Sequence, residues 1–75
     1  MKSLGSYSGE RVIAAFKNDG WQSVRRKGSH VILEKDGHAA TLSVPVHSGK
    51  TVKRGTLRSL IKDAGLSVRE FLELA

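Results

Sequence analysis

His30 follows three cations, a glycine and a serine, Arg25-Arg26-Lys27-Gly28-Ser29, and opens the aliphatic run Val31-Ile32-Leu33. An imidazole gains and loses a proton near neutral pH, and Arg and Lys hold phosphates. On RNA, that pairing has a defined use. The ribose 2′-hydroxyl is a built-in nucleophile, so cleavage needs a proton acceptor, stabilisation of charge on the phosphorus centre, and orientation. One imidazole acting as general base or acid contributes about 10²–10⁴-fold, and groups aimed at developing charge often contribute most to the rate. His30 is thus the candidate catalytic residue, and Arg25, Arg26 and Lys27 are candidate phosphate ligands. Gly28 lets backbone approach a ligand and tolerates an unusual turn, with Ser29 beside it.

A second basic cluster lies further on, at Lys50, Lys53, Arg54, Arg58 and Lys62. It falls at and along the start of a candidate helix, whose free N–H groups with nearby cations suit a phosphate. The plain alternative is a solvated helix face. His47 stands in the loop before this cluster, as an RNA contact or as a structural side chain.

Other chemistries fail on inventory. With no cysteine there is no disulfide framework, thiolate nucleophile or zinc–sulfur site. His30, His38 and His47 are spread over two strands and a loop without a carboxylate cluster, so no metal site is expected; His38, beside a turn, reads as plainly exposed. Gly49 and Gly55 do not match a nucleotide-binding loop, no small-molecule cofactor is implied, and Ser29 has no visible acid to complete a triad. Thirteen Lys and Arg against seven Asp and Glu give a net charge of +6 and an isoelectric point near 10.2. That balance favours a polyanionic partner, nucleic acid or an acidic protein surface, over a merely soluble basic domain. No apolar run approaches the roughly 18 residues that span a bilayer, and Met1-Lys2-Ser3-Leu4-Gly5-Ser6 lacks an apolar signal region. A cytoplasmic domain with no membrane partner is the expectation.

The elements that must position these residues are legible in outline. The 75 residues suit one domain, 1–75, with a small core, and residues 1–7 carry no periodicity and read as loose. Ser8 caps a helix over 9–19, with Val12, Ile13 and Phe16 at helical spacing and Asn18-Asp19-Gly20 as its stop. Strands follow over 21–26, 31–35 and 38–44, with Lys27-Gly28 and Asp36-Gly37 as turns. A second helix starts at Thr56, with Leu57, Leu60, Ile61 and Ala64 as its apolar stripe. Ser67 and Glu70 form a capping box for a short third helix. The order α-β-β-β-α-α implies an α+β fold, a three-stranded antiparallel sheet covered on one face by helices, like a double-stranded-RNA-binding domain. RNA rather than DNA follows from this analogy of architecture.

If Asp36-Gly37 is a two-residue turn, Leu33 faces Ala40, Val31 faces Leu42, Ile32 faces Thr41 and His30 faces Ser43. The same logic at Lys27-Gly28 sets Val24 opposite Val31 and Arg25 opposite His30. Both turns then place His30 on the open face, away from the core. Gln22 on the core face and Ile32 on the open one fit poorly, which points to a slip in the first turn.

Three motifs in order carry a family likeness: Arg25-Arg26-Lys27-Gly28-Ser29-His30, then Val44-Pro45-Val46-His47, then the run Lys53-Arg54-Gly55-Thr56-Leu57-Arg58-Ser59-Leu60-Ile61-Lys62-Asp63-Ala64-Gly65-Leu66. They resemble the HicA toxins of bacterial and archaeal toxin–antitoxin modules, over about residues 8 to 74. The resemblance implies a double-stranded-RNA-binding-type fold and a metal-independent mRNA interferase that arrests translation by cutting transcripts. It implies a HicB antitoxin that covers the active site, and it makes the histidine of the Gly-Ser-His motif, His30, the catalytic one. Trp21 stands where a phenylalanine is common in that family, a neutral change. Two other classes use the same surfaces: a non-catalytic RNA-binding module, and a small adaptor for an acidic protein.

Overall fold

Ser8 opens the first helix as a side-chain cap, its Oγ accepting the N–H of Arg11 at 3.2 Å. A computed structural model of the chain describes residues 4–75. The elements run α1 (Gly9–Asn18), β1 (Gln22–Lys27), β2 (His30–Glu34), β3 (Leu42–Pro45), α2 (Arg54–Asp63) and α3 (Val68–Leu74). This is the α+β arrangement expected, with an antiparallel sheet in the order β1-β2-β3. The N-terminal expectation of a loose segment fails over residues 4–7. Leu4 is buried, Tyr7 packs edge-on against Phe71, and the Tyr7 carbonyl accepts the N–H of Val52 at 2.8 Å. Met1 to Ser3 lie outside the described residues.

The core gathers the apolar stripes of α1 and α2, Phe71 of α3, Trp21, and the inward residues Leu33, Leu42 and Val44 of the sheet. Phe71 and Phe16 meet with ring centroids 5.5 Å apart, and Asn18 Nδ2 donates to the Leu74 carbonyl at 2.9 Å. α3 is therefore clamped along α1. Its capping box is complete, Ser67 and Glu70 each satisfying the other's backbone N–H. At the other end of α1, Gly9 approaches the sheet so closely that a Cβ there would lie 2.5 Å from the Pro45 carbonyl oxygen.

Both hairpins differ from the expected register. The first turn is Gly28-Ser29, with Gly28 at φ +61° as its first residue, the II′ arrangement that matches strand twist. Lys27 therefore faces His30, Arg26 faces Val31 and Arg25 faces Ile32. The expected pairings of Arg25 with His30 and of Val24 with Val31 are incorrect. Val24 instead falls at a bulge between Ser23 and Arg25 and is 45% exposed. The bulge reverses the facing of the strand before it, so Gln22 meets Glu34 on the open side, which removes the misfit at Gln22.

In the second hairpin His30 faces Pro45, Val31 faces Val44, Ile32 faces Ser43 and Leu33 faces Leu42. Asp36-Gly37 does form a tight turn, with the His38 N–H donating to the Lys35 carbonyl at 3.1 Å. The chain then leaves the ladder, and β3 begins only at Leu42. The cause is His38. Its ring stacks edge-on against buried Trp21 at 4.9 Å, and its Nε2 donates to the Asp63 carbonyl at the end of α2, 2.9 Å away. His38 is a half-buried bracket between the sheet loop and α2, not the plain exposed residue expected.

Candidate active site

The strand β2 begins at His30, one residue beyond a turn, so its side chain stands at the sheet's end on the face opposite Val31 and Leu33. Leu33 is fully buried and His30 is exposed, as strand alternation requires. His30 Nδ1 lies 3.0 Å from Ser43 Oγ on β3, a diagonal neighbour across the ladder. The bond occupies one ring nitrogen and leaves Nε2 for a substrate.

β3 is an edge strand. The Val46 N–H donates to the Ser29 carbonyl at 2.7 Å, which makes the adjacent His30–Pro45 pair a non-hydrogen-bonded one. Pro45 thus forfeits no ladder bond, and side chains of such pairs come closest. Beyond it the chain turns, with the Lys50 N–H donating to the His47 carbonyl at 3.0 Å, and then pairs with the N-terminal segment at Thr51 and Val52. This brings the loop and the start of α2 up beside the sheet. Between them lies a cleft of about 420 Å³ lined by His30, Ser43, His47, Lys50, Lys53 and Thr56, with Pro45, Thr51 and Val52 completing its walls.

The start of α2 sharpens the character of this cleft. Lys53 is the N-cap residue, makes no side-chain capping bond, and no acidic residue lies in the first turn. α1 and α3 both have a serine cap and a glutamate there. The free N–H groups and positive dipole end of α2 are joined by Lys53 and Arg54 rather than offset by a carboxylate, an arrangement that an anion would stabilise.

Of the residues singled out in the sequence, His30, His47, Lys50 and Lys53 come together in the cleft. Lys27 stands opposite His30 on the sheet. Arg25 is set back, 3.9 Å from Glu34 in an ion pair whose partners are both largely exposed. Arg26 turns over its own hairpin, Nε donating to the Gly28 carbonyl at 3.1 Å. Arg54 and Arg58 are exposed on α2 outside the cleft wall, and Lys62 lies in the helix's last turn. The second basic cluster is therefore divided, its loop end in the cleft and its helix end outside. The sequence sets Ser43 across from His30 on the open face, and the two side chains do meet, as diagonal neighbours rather than ladder partners. Thr51 and Thr56 are not singled out by the sequence, and nothing local marks the two threonines. Among the described residues no group of three or more His, Cys, Asp or Glu is placed to hold a metal ion, and no helix is long and apolar enough to cross a membrane.

The fold and cleft define a small basic α+β domain with an exposed histidine at a cation-flanked cleft beside its sheet. A family model described as the HicA toxin of bacterial toxin–antitoxin modules matches residues 9–66, a span that contains every residue of the cleft. The chain belongs to the HicA toxin family. Comparison with curated proteins gave no match.

Proposed function

We propose that this chain is an endoribonuclease that cuts mRNA, with His30 as the catalytic imidazole. The observation that carries this is the meeting of His30 with Lys50 and Lys53 in one cleft at the uncapped end of α2. The lysines and the helix end hold the scissile phosphate, where charge develops as the pentacoordinate centre forms. The 2′-hydroxyl attacks phosphorus, so RNA is cut and DNA is not, and the proton transfer requires no metal or other cofactor. Ser43 holds the imidazole in one orientation. Lys27 across the strand, the outer cations Arg25, Arg26, Arg54 and Arg58, and the Gly28-Ser29 turn extend the contact with the strand on either side. Family membership supports a toxin of a toxin–antitoxin module acting in the cytoplasm, and a HicB-type antitoxin that silences it by covering the cleft.

Expression of the wild type and of His30→Ala in a bacterial host, scored for growth and transcript integrity, tests this. The wild type should stop growth and fragment transcripts, while His30→Ala should do neither. Intact transcripts with the wild type would sink the nuclease. Equal toxicity of the two proteins would instead favour a non-catalytic RNA-binding module. Co-expression of the adjacent open reading frame should restore growth if it encodes the antitoxin.

A further inference from the structure

We propose that His47 is the second proton-transfer residue of the reaction, paired with His30 across the scissile phosphate; this rests on the ribonuclease function proposed above. Cleavage of an RNA linkage moves two protons. One leaves O2′ as the O2′–P bond forms, and one arrives on O5′ as the P–O5′ bond breaks, giving a 2′,3′-cyclic phosphate and a free 5′-hydroxyl. A single imidazole in one protonation state can serve only one of these transfers in a given step. A second group is required.

Strand geometry places His47 for that task. Val44 is buried and Val46 packs half-buried against the core, so Ser43, Pro45 and His47 share the opposite parity. Pro45 faces His30, and the Val46–Ser29 hydrogen bond carries the ladder one step past it. Ser43 and His47 are consequently the two diagonal neighbours of His30, positions about 7–8 Å apart at Cα and within reach of long side chains. The Ser43 diagonal is already closed by the 3.0 Å contact to Nδ1. The His47 diagonal opens instead onto the cleft that both histidines line. That gap suits a phosphate held between two imidazoles. The bond from the Lys50 N–H to the His47 carbonyl fixes the backbone at this point and turns Lys50 into the same cleft.

The competing donors are poorly placed or poorly suited. Lys27 and Ser29, the other candidates near the motif, are not in the cleft wall. Ser43, Thr51 and Thr56 offer hydroxyls, which are weak proton carriers near neutrality. Lys50 and Lys53 are better used as fixed charges on the phosphate.

The test uses the purified full chain and an oligoribonucleotide containing a linkage that the wild type cuts, made with either oxygen or a bridging sulfur at the 5′ position. Sulfur leaves without needing a proton, so it rescues the loss of a general acid and nothing else. His30→Gln and His47→Gln should each cut the oxygen substrate at least about tenfold more slowly than wild type, approaching the 10²–10⁴ expected of a lost acid or base. Each should bind the uncleavable 2′-deoxy analogue within about threefold of wild type, and sulfur should restore one of the two variants. Cleavage by His47→Gln within about tenfold of wild type overturns the proposal. So does a loss of analogue binding that matches the loss of rate, and so does a failure of sulfur to restore either variant. A wild type that cuts no RNA overturns the ribonuclease function itself, and this pairing with it.

Discussion

Ser43 Oγ sits 3.0 Å from His30 Nδ1, although the ladder partner of His30 is Pro45 and that of Ser43 is Ile32. The contact is therefore a diagonal one, made by two exposed side chains that nothing in the core holds. In the proposed reaction this contact would fix the imidazole's orientation and leave Nε2 as the nitrogen that a substrate meets. Ser43→Ala should leave the denaturation midpoint close to wild type, because an exposed hydrogen bond adds little net stability. Cleavage should nevertheless fall by about tenfold, the lower end of what loss of such an orienting partner costs. Wild-type rates in Ser43→Ala would mean that His30 finds its orientation without help.

Gly9 stands where α1 meets the end of β3. A Cβ there would lie 2.5 Å from the Pro45 carbonyl oxygen and 2.8 Å from Val46 Cγ2, and backbone cannot yield as a flexible side chain can. Gly9→Ala would ordinarily favour a helix. Here overpacking should outweigh that gain and destabilise by about 1–3 kcal/mol. Chemical denaturation measures it, and an unchanged or raised midpoint would show that α1 can shift away from β3.

Trp21, His38 and Asp63 form a bracket that ties the sheet to the end of α2. His38→Ala removes the Nε2 bond to the Asp63 carbonyl and the edge contact with the indole, and should cost about 1–2 kcal/mol. It should leave RNA cleavage unchanged, since His38 is no part of the cleft. Trp21→Phe should also fold with a modest loss of about 1–2 kcal/mol. Phenylalanine keeps an aromatic ring but has no N–H for Asp19 Oδ2, which accepts that of Trp21 at 3.3 Å and an ion pair from Lys35 at 3.2 Å. An unchanged denaturation midpoint for Trp21→Phe would instead fit the neutral exchange expected from the family likeness. A drop in cleavage for His38→Ala greater than its loss of folded protein would place His38 in the active site after all.

The contrast among the three histidines shows what the sequence could and could not disclose. The helices were legible because their signals are local: Ser8, Ser67 with Glu70, and apolar residues at helical spacing. The face of His30 was legible too, although every partner assigned to it in the ladder was wrong. Past the bulge each hairpin is displaced by two residues from the expected register, and a displacement of two preserves parity where a displacement of one would invert it. His38 was misjudged because the group that draws it inward, the Asp63 carbonyl, is distant in sequence and is backbone, which carries no residue signature. The cleft wall at Thr51 and Thr56 depends on how the loop returns past Tyr7, a long-range pairing with no local pattern behind it.

The division of the cations leads to a last prediction. Lys50 and Lys53 are exposed side chains in the cleft with no acidic partner among the described ion pairs, whereas Arg25 is 3.9 Å from Glu34 and outside the cleft. Binding of single-stranded RNA releases counterions in proportion to the phosphates neutralised, with a slope of about 0.7 per contact on a log–log plot of affinity against salt. Lys50→Ala with Lys53→Ala should therefore flatten that slope by about 1.4 in total and weaken binding at low salt. Arg25→Ala should flatten it much less, because its charge is partly offset by Glu34 and lies outside the cleft. The measurement is a salt titration of binding to the uncleavable 2′-deoxy analogue, using His30→Ala as the parent so that no strand is cut. Equal slopes for the lysine pair and Arg25→Ala would mean that RNA runs along the open sheet rather than into the cleft, and the placement of the phosphate beside α2 would have to be abandoned.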